Sequence, residues 1–280
     1  MKKKFLIVAI CLIVCGVCLY KYFEPNIEIK KAQDEYNDIV DTVIKNKQPS
    51  VTGNETVIEE ENEETDDSDD SKYDTGSYDA SWEVHEYLDI DFDALLEIND
   101  DCIGWIYIPN MTQFSYPICK SADNHDYLVT SFKKTANEVG VPFVDYLCAT
   151  DFSDFNTLIY GHYTVTHYMF GELYDYMSGT KHNHYPLIQI YTPDNKVRIY
   201  QVFSAEEIYV DGSPIFTVGN FSMSQRQNLI NTALQGSRFN FYVTPNPENN
   251  ILNLVCCTEA VDKERRLVIS ATLIDTVELN

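Results

Sequence analysis

The sequence predicts a mainly β fold, a barrel or a sandwich, over about Ser81 to Asn280. Short apolar runs bounded by turn residues recur eight times between Ile103 and Ile274. Tyrosine, which suits a pleated and half-buried surface, occurs 20 times in 280 residues. Two helical stretches interrupt the strand pattern.

The elements follow in order. The chain opens MKKKFLIVAICLIVCGVCLYKYF, with three lysines ahead of the apolar run Phe5–Tyr20. Lysines on one flank favour retention on the cytoplasmic side, and Tyr22 and Phe23 extend a run slightly short for a span. Residues 1–23 are therefore expected to be a signal anchor through the cell membrane, single-pass, with the N-terminus cytoplasmic and the rest extracellular. A cleaved signal peptide is the rival, but no small-x-small site follows the run. A lipoprotein cysteine at Cys15 or Cys18 is a weaker one.

Residues 24–80 read as a helical stalk and linker. Ile29, Ala32, Tyr36, Ile39 and Val43 give Ile27–Lys47 the spacing of an amphipathic helix. In EEENEETDDSDD, Glu59 to Asp70, nine of twelve residues are acidic, too polar a stretch to bury a core. The remaining segment, 81–280, is the expected folded domain. It begins with a helix over Tyr87–Asn99, whose early acids suit the helix dipole. The expected strands are Ile103–Ile108, Val141–Asp145, Thr157–Tyr160, Leu187–Tyr191, Val197–Ser204, Phe239–Val243, Ile251–Cys257 and Leu267–Ile274. The helical interruptions are Phe170–Met177 and Ser222–Gln235, the second capped by Ser224 and ended by Gly236.

A formal net charge of −24 argues against nucleic acid as a partner, because phosphate contacts need a basic surface. The eight cysteines, at 11, 15, 18, 102, 119, 148, 256 and 257, do not form a disulfide framework. One bridge among Cys102, Cys119 and Cys148 stays open. His182 and His184 form a His-x-His pair without an evident third ligand, so no metal and no cofactor is expected.

The stretch LVCCTEAVDKERRLVIS, Leu254–Ser270, concentrates reactive groups. In a strand, side chains alternate faces. Leu252, Leu254 and Cys256 share the face more suited to a core, and Cys257 emerges on the other. In the next strand Leu267, Ile269, Ala271 and Leu273 read as core, so Arg266 starts on the side of Cys257, and Arg265 points the opposite way or lies in the connecting loop. A thiolate nucleophile needs a partner that lowers its pKa or takes its proton. Of six histidines, His162 stands out at the end of the apolar run TLIYGH. There Gly161 is expected to let the backbone turn and the ring emerge. His85, His125 and His167 read as edge or loop residues.

The chain resembles the class B sortases, membrane-anchored cysteine transpeptidases of Gram-positive bacteria. The resemblance spans about Phe92 to Ile274. It rests on DFDALLEINDDCIGWIYIPN, the DYL of NHDYLVTSF, FVDY, DFSDFNTLIYGH, MFGELYDYM, IYTPDNK, and LNLVCC followed by RRLVISATLI, in that order. The family's Thr-Leu-x-Thr-Cys strand matches at Leu254 and gives Cys257 as nucleophile, with Asn253 and Cys256 where threonines are usual. Its histidine falls on His162, followed by Tyr163 instead of the usual Asn, and its arginine on Arg266.

The resemblance implies a sortase-like closed β-barrel of seven to eight strands, with an N-terminal helix and a helix before the penultimate strand. It implies a groove for a sorting-motif peptide of secreted surface proteins, Asn-Pro-x-Thr-Asn or Asn-Pro-x-Thr-Gly. Asn124 and Leu128 would line it, with Phe216, Thr217 and Val255 as further contacts. The acceptor would be an amine of a peptidoglycan precursor, and the membrane would hold the enzyme through its anchor. The implied chemistry is a thioacyl-enzyme route, with His162 moving the proton and Arg266 holding the oxyanion or the peptide. Rival readings are a hydrolytic cysteine protease on the same residues, a non-catalytic surface-binding module and a lectin-like barrel.

Overall fold

A computed structural model describes residues 27–45, 87–164, 166, 168–257 and 264–279. Eight strands form a closed barrel: β1 Cys102–Tyr107, β2 Ser115–Cys119, β3 Phe143–Val144, β4 Asn156–Gly161, β5 Leu187–Thr192, β6 Lys196–Tyr209, β7 Ile251–Cys257 and β8 Arg265–Glu278. Their order around the barrel is β1-β2-β3-β4-β7-β8-β6-β5, with β5 pairing back to β1. β4 and β7 run parallel, so the long connection between them must cross over, and it carries the β5–β6 hairpin and a helix. The mainly β barrel expected from the sequence is the one found.

Among the described residues three α-helices pack around it: α1 over residues 27–43, α2 Phe92–Ile98 and α3 Met223–Gly236. Ala32, Tyr36, Ile39 and Val43 of α1 recur at helical spacing and are fully buried in the same hydrophobic cluster as the barrel. Tyr36 Oη donates to the Gly140 carbonyl at 2.6 Å. α1, within the span expected to be a helical stalk, is part of the core, because its apolar stripe covers the barrel. α2 is shorter than expected. Asp91 caps it, accepting from Ala94 N at 3.0 Å, so Tyr87–Asp91 stays outside the helix. α3 is capped by Ser222 and not Ser224, through a capping box with Gln225. Phe170–Met177 is a 3-10 helix.

One strand expectation fails. Phe239–Val243 is irregular. Asn240 Oδ1 accepts from Tyr242 N at 2.8 Å and Tyr242 adopts φ +57°, which breaks the extended alternation. Phe239 instead stacks on His182, ring centres 4.4 Å apart. β2 has no counterpart among the expected strands, and its run contains Pro117, a residue that weakens a strand signal. Pro117 is tolerated there because β2 meets β3 at a single pair, Cys119 with Phe143.

The membrane localisation is also corrected: among the described residues no helix is long and apolar enough to cross a membrane. The expected anchor at 1–23, His85 and His167 lie outside the described residues, as does the acidic run 59–70. Cys102, Cys119 and Cys148 are buried free thiols.

Candidate active site

The site is built by strand register. Partners across β4, β7, β8 and β6 fall into rows, and alternate rows share a face. One set of rows reads Asn156–Ile251–Thr272, then Leu158–Asn253–Ser270–Ser204, then Tyr160–Val255–Val268–Glu206. The next row contains Cys257 directly opposite Arg266, which is opposite Ile208. Gly161 pairs with Cys256, so His162, the following residue, stands beside Cys257 at the C-terminal end of β4. Three adjacent strands therefore bring His162, Cys257 and Arg266 to one level.

The residues on the alternate face have a different character. Cys256 lies opposite Leu267 and beside Gly161, fully buried in the main core. Arg265 pairs with Glu207 (Nη2 to Oε2, 3.2 Å) and lies over the Tyr209 ring. Tyr174 Oη also donates to Glu207, at 3.2 Å, and its ring meets Tyr163 at 5.4 Å. Burial first, then the Glu207 charge, pushes the Tyr174 phenol well up, so it stays a neutral donor. Tyr163 thus has a packing role in the position where the family usually carries Asn. Arg266 is half-buried, and its Nη1 donates to the Arg265 carbonyl at 2.8 Å.

Gly161 is needed for a reason other than turning. Its φ is not positive; a Cβ there would overlap the Phe170 ring that packs against the strand end. His162, half-buried, follows at once. The close packing of the 3-10 helix thus fixes where β4 stops.

Both faces of β7 are covered below this level, which alternation alone did not foresee. Leu252 and Leu254 join the main core, whereas Ile251 and Val255 join a second cluster with Leu158, Ile215, Leu229 and Ile230 beneath α3. Val255 is therefore fully enclosed. Within this layer runs a fully buried amide relay. Ser270 Oγ donates to Asn253 Oδ1 at 2.6 Å, and Asn253 Nδ2 to Asn156 Oδ1 at 2.6 Å. Asn156 Nδ2 donates to the carbonyls of Ile215 and Thr217 at 2.8 and 2.7 Å. The relay ties β4, β7 and β8 to the turn carrying Phe216, which is partly buried, and Thr217, which is exposed. Asn253, where the family has threonine, is the centre of this network.

On the other side, Asn124 Nδ2 donates to Asp145 Oδ2 at 2.8 Å, and Leu128 is partly buried against the core. Asp145, Asn156 and Glu206 were not singled out from the sequence; only the Asn253 departure hinted at the relay. His125 is exposed in its loop, and His182 is committed to Phe239. Among the described residues no group of three or more His, Cys, Asp or Glu side chains is arranged to hold a metal ion.

A closed barrel with a cysteine, a histidine and an arginine level at the ends of three adjacent strands has the framework of a cysteine acyl-transfer enzyme. The comparisons agree. The model of the sortase domain matches residues 106–274. Sortase B of Staphylococcus aureus is 30% identical over 193 residues, covering 68% of this chain and 77% of that protein. Sortase B of Listeria monocytogenes is 39% identical over 83 residues, 30% of this chain and 33% of that protein. The solved Staphylococcus aureus sortase B–substrate complex superposes with a TM-score of 0.60 at 26% identity, covering 66% of this chain and 84% of that one. The chain belongs to the sortase family, within class B. It is a sortase-type cysteine transpeptidase of the kind that acts at the cell wall.

Proposed function

We propose that the enzyme cleaves an Asn-Pro-x-Thr-Asn or Asn-Pro-x-Thr-Gly sorting motif of surface proteins and joins the acyl fragment to an amine of a peptidoglycan precursor. The observation that carries this reading is the common level of His162, Cys257 and Arg266 at the ends of β4, β7 and β8. In the first step the Cys257 thiolate attacks the threonine carbonyl carbon. The tetrahedral intermediate collapses with loss of the C–N bond, and His162 gives its proton to the departing amine. In the second step the incoming amine attacks the thioester, His162 takes its proton, and the C–S bond breaks to restore the thiolate. Arg266, with fixed charge and forked donors, holds the oxyanion in both steps.

The peptide runs along β4 and β7. Asn124 and Leu128 form one wall and Phe216 and Thr217 the other, with Val255 beneath the floor. The test is to incubate the full chain with sorting-motif peptides, with and without an amine acceptor. Mass analysis should find an acyl adduct on Cys257 and, with amine present, the amide product. Release of free acid alone at every amine concentration would make the enzyme a protease. Turnover that persists in Cys257→Ala would overturn the nucleophile assignment.

A further inference from the structure

Asp145 follows β3 and is only 5% exposed. Its backbone N–H donates to the Leu158 carbonyl at 3.0 Å, which holds it against β4. Its carboxylate gathers donors from three places. Oδ2 accepts from Asn124 Nδ2 at 2.8 Å and from Tyr160 Oη at 3.0 Å, and Oδ1 accepts from Leu147 N at 2.9 Å. Asn124 is bound a second time, since Tyr146 N donates to its Oδ1 at 2.9 Å.

These bonds fix which way the Asn124 amide is turned. A carboxylate only accepts and a backbone N–H only donates, so Nδ2 must face Asp145 and Oδ1 must face Tyr146. The second N–H of Nδ2 is then left as a donor. Tyr160 belongs to the same row set as His162, two residues before it. The level of Leu158 lies four residues from His162, about 13 Å at the rise of a strand. An extended peptide covers that same distance in about four residues, the reach from a scissile bond to the start of a short motif.

We infer that Asp145 is a positioning residue of the peptide groove: it locks Asn124 with a donor N–H presented to an acceptor oxygen of the bound peptide, and it ties that wall to Tyr160 of the catalytic strand. The inference deepens the proposed function and rests on its peptide groove. Asp145 touches no reacting atom and acts through Asn124 and Tyr160. An asparagine at 145 keeps the volume but sets an NH2 or a weaker oxygen against the Asn124 amide, which then turns or drifts.

The test measures kcat and KM for a sorting-motif peptide with the full chain and saturating amine. Asp145→Asn is expected to raise KM about tenfold with kcat within about twofold, because ground-state binding is lost and the reacting groups are untouched. Asn124→Asp, which removes the donor, should give a similar KM. The double variant should be no worse than the poorer single one, because both act through one contact. Tyr160→Phe leaves the Leu147 bond intact and serves if D145N folds poorly; it should raise KM about threefold. A KM within about twofold of the parent in D145N and Y160F, or a multiplicative double variant, overturns the inference. So does a fall in kcat that matches the rise in KM. Failure of the proposed function reads differently: the parent protein would then turn over no motif peptide, or Cys257→Ala would keep doing so.

Discussion

The two alternating sets of rows on β7 and β8 divide the CC and RR doublets between them, and the fold treats the two sets in opposite ways. Cys256 and Arg265 belong to the inward set: the thiol is sealed in the main core, and the guanidinium is committed to Glu207. Cys257 and Arg266 share the last row, level with the end of β4. Identical residue types one position apart acquire different work because a strand repeats every two residues. The comparison teaches that parity sorts chemistry, while the neighbouring strand decides which parity matters.

The largest test of that sorting is at the cysteines. Cys257→Ala should reduce transpeptidation by at least about a thousandfold, the consequence of its proposed role as nucleophile. Cys256→Ala should stay within about threefold, with the loss appearing as a lower Tm from the small cavity it opens. The reverse pattern in a peptide–amine assay would move the register by one residue. The arginines come next. Arg266→Lys should lower kcat roughly a hundredfold, the scale of removing one oxyanion donor. Arg265→Lys should change kcat by no more than about threefold, because its partly exposed pair with Glu207 supports structure only.

The same row set that leads to the site contains the amide relay, and breaking it should act on stability before chemistry. Asn156→Ala strands the Ile215 and Thr217 carbonyls and an Asn253 N–H, all bonded in the parent. At about 1–3 kcal/mol per buried orphan, partly relieved by relaxation, Tm should fall by roughly 5–10 °C in a thermal melt. An unchanged Tm would mean that the relay does not hold the Phe216–Thr217 turn.

The smallest effect concerns Glu206, in the row directly below Arg266. It is buried, its Oε1 has no partner among the described residues, and a Cβ on Gly236 would overlap its carboxylate. Burial pushes its carboxyl up to about 7. The neutral form is thus favoured in the folded state. The stability linked to it is complete below the unfolded value of about 4.3 and is lost as pH rises through about 7. Tm should therefore decline between pH 5 and 8, and Glu206→Gln should flatten that decline and raise Tm at pH 8 by roughly 2–4 °C. A parent and a variant with parallel pH profiles would count against it.

Much of this was legible before the fold was known. Alternation along Leu252–Cys257 and Leu267–Leu273 separates Cys256 from Cys257 and Arg265 from Arg266, since strand periodicity is local. The rest depended on partners far apart in the chain. Asp145 lies 21 residues from Asn124, and Asn156 lies 97 from Asn253, so neither pair leaves a local pattern. Pro117 is tolerated in β2 because β2 meets β3 at a single pair, which only the order of strands in the barrel defines. Gly161 looked like a turn glycine, yet its constraint comes from the Phe170 ring.

By itself, then, the sequence determined the family resemblance, most of the strands and the parity of the two doublets, because those follow from residue type and a two-residue repeat. Only the tertiary structure decided that α1 belongs to the core, that the outer face of β7 is roofed by α3, that an amide relay joins Asn156, Asn253 and Ser270, and that the buried Asp145 carboxylate binds Asn124 and Tyr160. Burial and hydrogen-bond partnership are properties of segments brought together by barrel closure. No single segment contains them.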